Sequence, residues 1–151
     1  MNRIRNISLS LALLLPLQAM AQQIVERTSG LQRSPAPEGA TVAFASLKDG
    51  DVVPKSFSVN FRVTGMRVRP AGEMVENSGH HHLLIDVDEL PPMDLPLPKN
   101  ESVYHFGKGE KRAVVTLPPG EHTLQLLFAD YLHIPHDPPV MSEKITVTVA
   151  D

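Results

Sequence analysis

Cysteine and tryptophan are both absent from this 151-residue chain. Without cysteine there are no disulfide staples, no thiolate metal ligands and no lipid-modified N-terminal cysteine, so the fold must be held together by its core. The same two absences exclude the Cys-Trp-Cys centre of antibody domains. Long apolar runs are missing too: beyond the N-terminus nothing approaches the ~20 residues that a membrane-spanning helix needs. No stretch after residue 21 keeps a helical period. There is also no Ser-His-Asp or Cys-His arrangement, no glycine-rich phosphate loop and no paired-carboxylate signature, so no reaction is dictated.

The N-terminus reads as a processing segment. Arg3 and Arg5 supply its charged region, Ile7 to Leu17 a short apolar stretch, and Ala19-Met20-Ala21 a small-x-small cleavage site. A signal peptide over residues 1–21 predicts a mature chain starting at Gln22, periplasmic or secreted and without a transmembrane segment. Its loss removes two arginines and no acid, which moves the formal charge from −3 to −5. That balance argues against nucleic acid as a partner.

The chain is organised around Gly79 to Asp88, GHHHLLIDVD. Period-two alternation puts Leu83, Ile85 and Val87 on one face of a strand, and His82, Leu84, Asp86 and Asp88 on the other. His80 and His82 then point the same way, their Cα atoms ~6.6 Å apart at ~3.3 Å of rise per residue. Such a pair can grip one ion. His81 falls on the core face and reads as structural.

Around this stretch the chain reads as an all-β single domain. Residues 22–39 contain Ser34-Pro35-Ala36-Pro37 and are expected to be a flexible arm, with the domain spanning residues 40–151. Strands are expected at 41–47, 57–63, 104–106, 112–117, 121–130 and 140–149, besides the central one. Proline-containing loops are expected at 65–79, 89–102 and 131–139. About seven short strands with turn signals between them predict an antiparallel β-sandwich of immunoglobulin or fibronectin III type.

GHHHLLIDVDELP, YHFGKGE, LPPGEHTLQL and HIPHDPPVMSEKITVTV, taken together, resemble a family of exported bacterial proteins known as domain-of-unknown-function family 4399. The likeness runs over roughly residues 38–149. It implies a single exported β-rich domain bearing these histidine motifs, with no activity attached.

On an immunoglobulin-like topology with strands A to G, the B–C, D–E and F–G loops share one end. His80 and His82 close the first of these loops, His105 precedes the second, and His133 and His136 lie in the third. These five are the candidate metal ligands. Met66, Met74 and Met141 flank the same loops as candidate thioethers, and Asp130 and Asp137 as candidate carboxylate ligands or orienting groups. Imidazoles without thiolates suit a transition metal, and the affinity order favours copper over zinc. The expected role is metal carriage or sequestration, with an exported or outer-surface protein as a further partner.

Plainer and competing readings stand beside this one. The histidine tract can be polar loop packing on a metal-free immunoglobulin-like module that binds a protein or glycan. Methionines fill cores and loops in most proteins, and Asp86 and Asp88 read as solvated. His122 reads as structural, at the opposite end of the sandwich, about eight residues or ~26 Å away. Lys108 and Lys111 read as a solvated turn. A cupin-like metalloenzyme would instead use His80, His82, Asp86 and His122. That pattern fits loosely, since the acid is Asp and only one residue separates Gly120 from His122.

Overall fold

The segment Ser56–Thr64 alternates most plainly in the sequence. In the computed structural model, which describes residues 32–151, its Phe57, Val59 and Phe61 are buried while Ser56, Ser58 and Arg62 are exposed. The expected signal peptide and the arm up to residue 31 lie outside the described residues. Among the described residues there are ten strands and no helix: β1 Thr41–Phe44, β2 Asp51–Val53, β3 Ser56–Thr64, β4 Arg67–Val68, β5 Ser78–Ile85, β6 Val103–His105, β7 Arg112–Thr116, β8 Gly120–Ala129, β9 Pro135–Met141 and β10 Ile145–Val149. No helix long and apolar enough to cross a membrane occurs among them.

The strands form two sheets, β1-β3-β7 and β2-β10-β8-β5-β4, with β6 added to β5 and β9 to β8. This is the expected all-β, sandwich-like class, with ten strands in place of about seven. Most pairings are antiparallel; β2 with β10 and β4 with β5 are parallel. The main core joins Val59, Phe61 and Val115 of the smaller sheet to Leu83, Leu126, Phe128 and Val147 of the larger.

β5 is buried along its whole length, which the alternation alone does not predict. One edge pairs with β8 from His80 to Ile85; the other is shared between β4 at Ser78 and Gly79 and β6 at residues 82–84. Its Leu83 and Ile85 enter the main core. Its opposite face enters a second, smaller core of Leu84, Leu97, Val103, Leu127 and Ala129. The proline-rich segment 89–102 supplies Leu97, whose amide donates to His133 O at 2.8 Å. At the start of β5 the two strands press so close that a Cβ on Gly79 would lie 2.9 Å from Phe128 Cε1 and overlap Ala129 O. Only glycine fits there.

Two segments read as irregular make backbone hydrogen bonds beside β8. Residues 135–141, expected to be mostly loop, form β9 on the edge of β8, where Pro138 and Pro139 are exposed and break no interior ladder. The described part of the N-terminal arm lies along β9. Ala36 N donates to Asp137 O and Asp137 N to Ser34 O, both at 2.9 Å, and Arg33 donates to the carbonyls of Pro135 and His136.

Candidate metal centre

Four imidazoles converge on the second-core face of β5. His80 and His82 project from it at i and i+2, as the alternation requires, with ring centroids 4.8 Å apart. His105, the last residue of β6, sits directly across the ladder from His82, their centroids 5.1 Å apart. His133 comes over the top from the β8–β9 turn, 4.7 Å from the His105 ring and 4.9 Å from that of His80. One nitrogen from each ring can be chosen so that all four lie within 4.8 Å of one another.

The turn that carries His133 is tied by Asp130. This carboxylate is only 3% exposed. One oxygen accepts from the amides of Leu132 and Ile134 at 2.9 and 3.0 Å, and the other from Ser34 Oγ at 2.7 Å. His133 N closes the turn on Asp130 O at 3.0 Å. Within that turn His133 has φ of +66°, a left-handed conformation that costs a side-chain-bearing residue about 1–2 kcal/mol. Strain of this kind persists where the surroundings over-determine it, often at binding sites. Asp130 is therefore a positioning residue for His133. Asp130→Ala is expected to cost about 2–4 kcal/mol, because two amides and a hydroxyl lose a charged acceptor. It should also weaken metal binding. Asp130→Asn keeps an oxygen for the two amides and should retain most of both properties in urea titration and metal competition.

His105 is placed by a glycine two residues on. A Cβ at Gly107 would overlap Cε1 and Nε2 of the His105 ring. Gly107→Ala must therefore turn the imidazole aside. The expected result is a folded protein, by circular dichroism, whose metal affinity falls about as far as in His105→Ala.

The electrostatics favour neutral rings. Burial lowers His80 to about 3 and His82 to about 2, and mutual repulsion among the cluster's imidazoles adds to it. His105 is lowered by the same two causes in the same order, with Lys99 adding to the effect. A metal needs the neutral form, so no proton has to be removed from these rings at neutral pH. His80 Nε2 and His133 Nδ1 are 3.0 Å apart, one donating to the other. His80 Nδ1, His82 Nδ1 and His105 Nε2 are buried with no hydrogen-bond partner. Buried polar atoms are rarely left so, at a cost of about 1–3 kcal/mol each. Bonds of 2.0–2.1 Å to one ion imply nitrogen separations of about 3.3 Å in a tetrahedral shell, so small ring shifts suffice. A cluster with this donor set could hold a transition metal.

The other candidates lie elsewhere. His136, the fifth of the expected set, lies apart from the other four. The ladder between β8 and β9 is irregular at Phe128/Ala129, and the His136 ring stacks on Phe128 with centroids 6.0 Å apart, near the Phe128 carbonyl. It lines a pocket with Ser34, Met74 and Asp130 instead of joining the four rings. Met74 is 73% exposed there, and Met66 packs against the main core. Asp137 is exposed and pairs with Arg33 at 3.3 Å.

His81 behaves as expected, wholly buried between Phe61 and Phe128 at 4.9 and 5.0 Å. Asp86 is not simply solvated. It accepts from His122 Nδ1 at 2.7 Å and from Thr123 N at 2.8 Å, while His122 Nε2 faces Pro118 O at 3.0 Å. Two acceptors call for the doubly protonated ring, and the Asp86 hydrogen bond raises the His122 pKa. His122 stands five and seven residues along β8 from Leu127 and Ala129, the partners of His82 and His80, or about 17–23 Å. The cupin-like set is thus split between two ends of one strand.

Sequence reasoning passed over Gly107, whose only trace was a turn signal in GKGE. Asp130, expected as a ligand or an orienting group, orients His133 through the backbone of the turn.

No curated protein and no solved structure is similar enough to this chain to count as a match. A family model, described as "Domain of unknown function (DUF4399)", matches residues 59–150, from the middle of β3 through β10. That span carries all four converging histidines, Asp130 and Gly107, and it omits β1 and β2. The match covers more than half of the sequence, and the chain belongs to the DUF4399 family.

Proposed function

We propose that this chain is an exported protein that binds one transition metal ion through His80, His82, His105 and His133, for carriage or sequestration. The observation that carries the reading is the cluster itself: four imidazoles with ligand atoms within 4.8 Å, three of whose buried nitrogens have no other partner. Four protein ligands complete a four-coordinate shell, tetrahedral for zinc and tetragonal for Cu(II), with none of the four positions left for substrate, which favours holding an ion over catalysis. His80 and His82 are buried, whereas His105 and His133 are half-exposed, so the latter pair forms the side by which an ion enters and leaves. An exported or outer-surface protein that takes the ion would meet that side.

Copper is favoured over zinc on the affinity order for nitrogen donors. The four converging ligands are all nitrogen, a donor set that suits Cu(II) better than Cu(I), which prefers sulfur. Of the candidate thioethers, Met66 and Met74 lie away from the rings and Met141 packs against the second core. Export rests on the signal-like residues 1–21.

The test uses residues 22–151 made without a histidine tag, stripped with chelator and titrated with Cu(II), Cu(I) and Zn(II) against competing chelators. One equivalent is expected, tightest for Cu(II). No saturable binding of any of the three would overturn the reading.

A further inference from the structure

On the opposite face of β5 from the four rings, a cleft of about 460 Å³ opens between the two sheets. Its volume lies within the range of small-molecule sites. Arg62, Arg67, Arg69 and Lys111 rim it, and no acidic residue lines it. Among the described residues the ion pairs are Arg33–Asp137 and His122–Asp86, so none of these four cations is neutralised by a neighbour. Such a concentration of one sign is conspicuous in a chain whose net charge is −3. Among the described residues, only Arg67 of the four has a side-chain hydrogen bond, donating to Glu76 O at 3.2 Å.

The floor is apolar, formed by Phe61, Val63, Met66 and Val68. At its inner end lies His81, wholly buried, with neither ring nitrogen hydrogen-bonded. Its ring, held between Phe61 and Phe128, closes the inner end of the cleft. Cations at the mouth and an apolar floor describe a ligand with an anionic oxygen head and an apolar body.

We infer that this cleft binds a small amphiphilic anion, a carboxylate or phosphate carrying a hydrocarbon or aromatic portion. The guanidinium forks of Arg62 and Arg69 take the anionic oxygens. The Phe61–Met66 floor covers the apolar body. The inference is independent of the metal reading, since it uses the other face of the strand and other residues.

The test is a fluorescence titration of residues 22–151 with anilinonaphthalene sulfonate, followed by displacement with octanoate, octyl phosphate, octanol and octyltrimethylammonium. Saturable binding is expected, displaced by the two anions and not by octanol or the cation. The stronger displacer identifies the head group. Arg62→Gln/Arg69→Gln should weaken binding about tenfold or more. Arg62→Lys/Arg69→Lys, which keeps the charge, should hold it within a few-fold, so that general damage to the fold is told apart from loss of the anion's partners. Binding that octanol displaces equally, that the glutamine pair leaves unchanged, or that never saturates in the parent would overturn the inference.

Discussion

His82→Ala is expected to abolish the tight metal equivalent, lowering affinity by at least about 100-fold, since even groups that only orient a ligand are worth 10–100-fold. His80, His105 and His133 should behave alike, because each supplies one of four convergent nitrogens. His136→Ala and His122→Ala should stay within about threefold. The first ring stacks on Phe128 and the second is bound to Asp86 at the far end of β8. A companion variant separates ligand from scaffold. His82 is 1% exposed and its Nδ1 has no partner, so in the metal-free protein it is a liability. His82→Leu, similar in volume and without polar atoms, should raise metal-free stability by about 1–2 kcal/mol in urea while eliminating binding. A packing histidine would show the opposite: lost stability with unchanged metal uptake.

The metal-free protein is also expected to be acid-labile, and bound metal to protect it. His80, His81 and His82 stand at about 3, 4 and 2 in the fold, against 6.5 unfolded. Desolvation is the leading cause for all three. Above pH 6.5 these rings are neutral in both states and contribute no pH dependence. Below it the unfolded chain takes up protons that the folded chain refuses, so stability falls as pH drops towards the folded values. Each ring contributes up to about 1.4 kcal/mol per pH unit, and the three together about 4. Against a typical total of 5–15 kcal/mol, the metal-free protein should unfold near pH 4–5. His105 and His136, also lowered, steepen the fall. His122, raised, opposes it: its pairing with Asp86 stabilises the fold below its unfolded pKa and is lost as pH rises through its folded one. Circular dichroism from pH 7.5 to 3, with and without one equivalent of metal, measures both effects. A transition unmoved by metal, or none above pH 4, would contradict the account.

How far the sequence revealed this depends on whether the relevant pairing is local. The alternation of GHHHLLIDVD is local, so the division of His80 and His82 from His81 could be read directly, as could the buried face of β3. The partnership of His82 with His105 depends on a ladder between β5 and β6, 18 or more residues apart along the chain. Topology suggested that these rings share an end, but not that they face each other across a strand pair.

His136 shows the opposite case. Three residues after His133 in a proline-rich run, it looked like part of the same loop. The Asp130-tied turn and the irregular β8–β9 ladder send the two rings to different places. Prolines also hid the second core. Leu97 sits between Pro96 and Pro98 in a segment without strand period, yet it is buried against Leu84 and Leu127 and holds the turn of His133 by a backbone hydrogen bond.

The central claim is a shell of four imidazoles around one ion, and X-ray absorption spectroscopy of the loaded, untagged protein measures that shell directly. About four nitrogen scatterers are expected near 2.0 Å, with the outer-ring scattering of imidazole and no sulfur. A sulfur scatterer, or a first shell of oxygens with no imidazole signature, would contradict the claim.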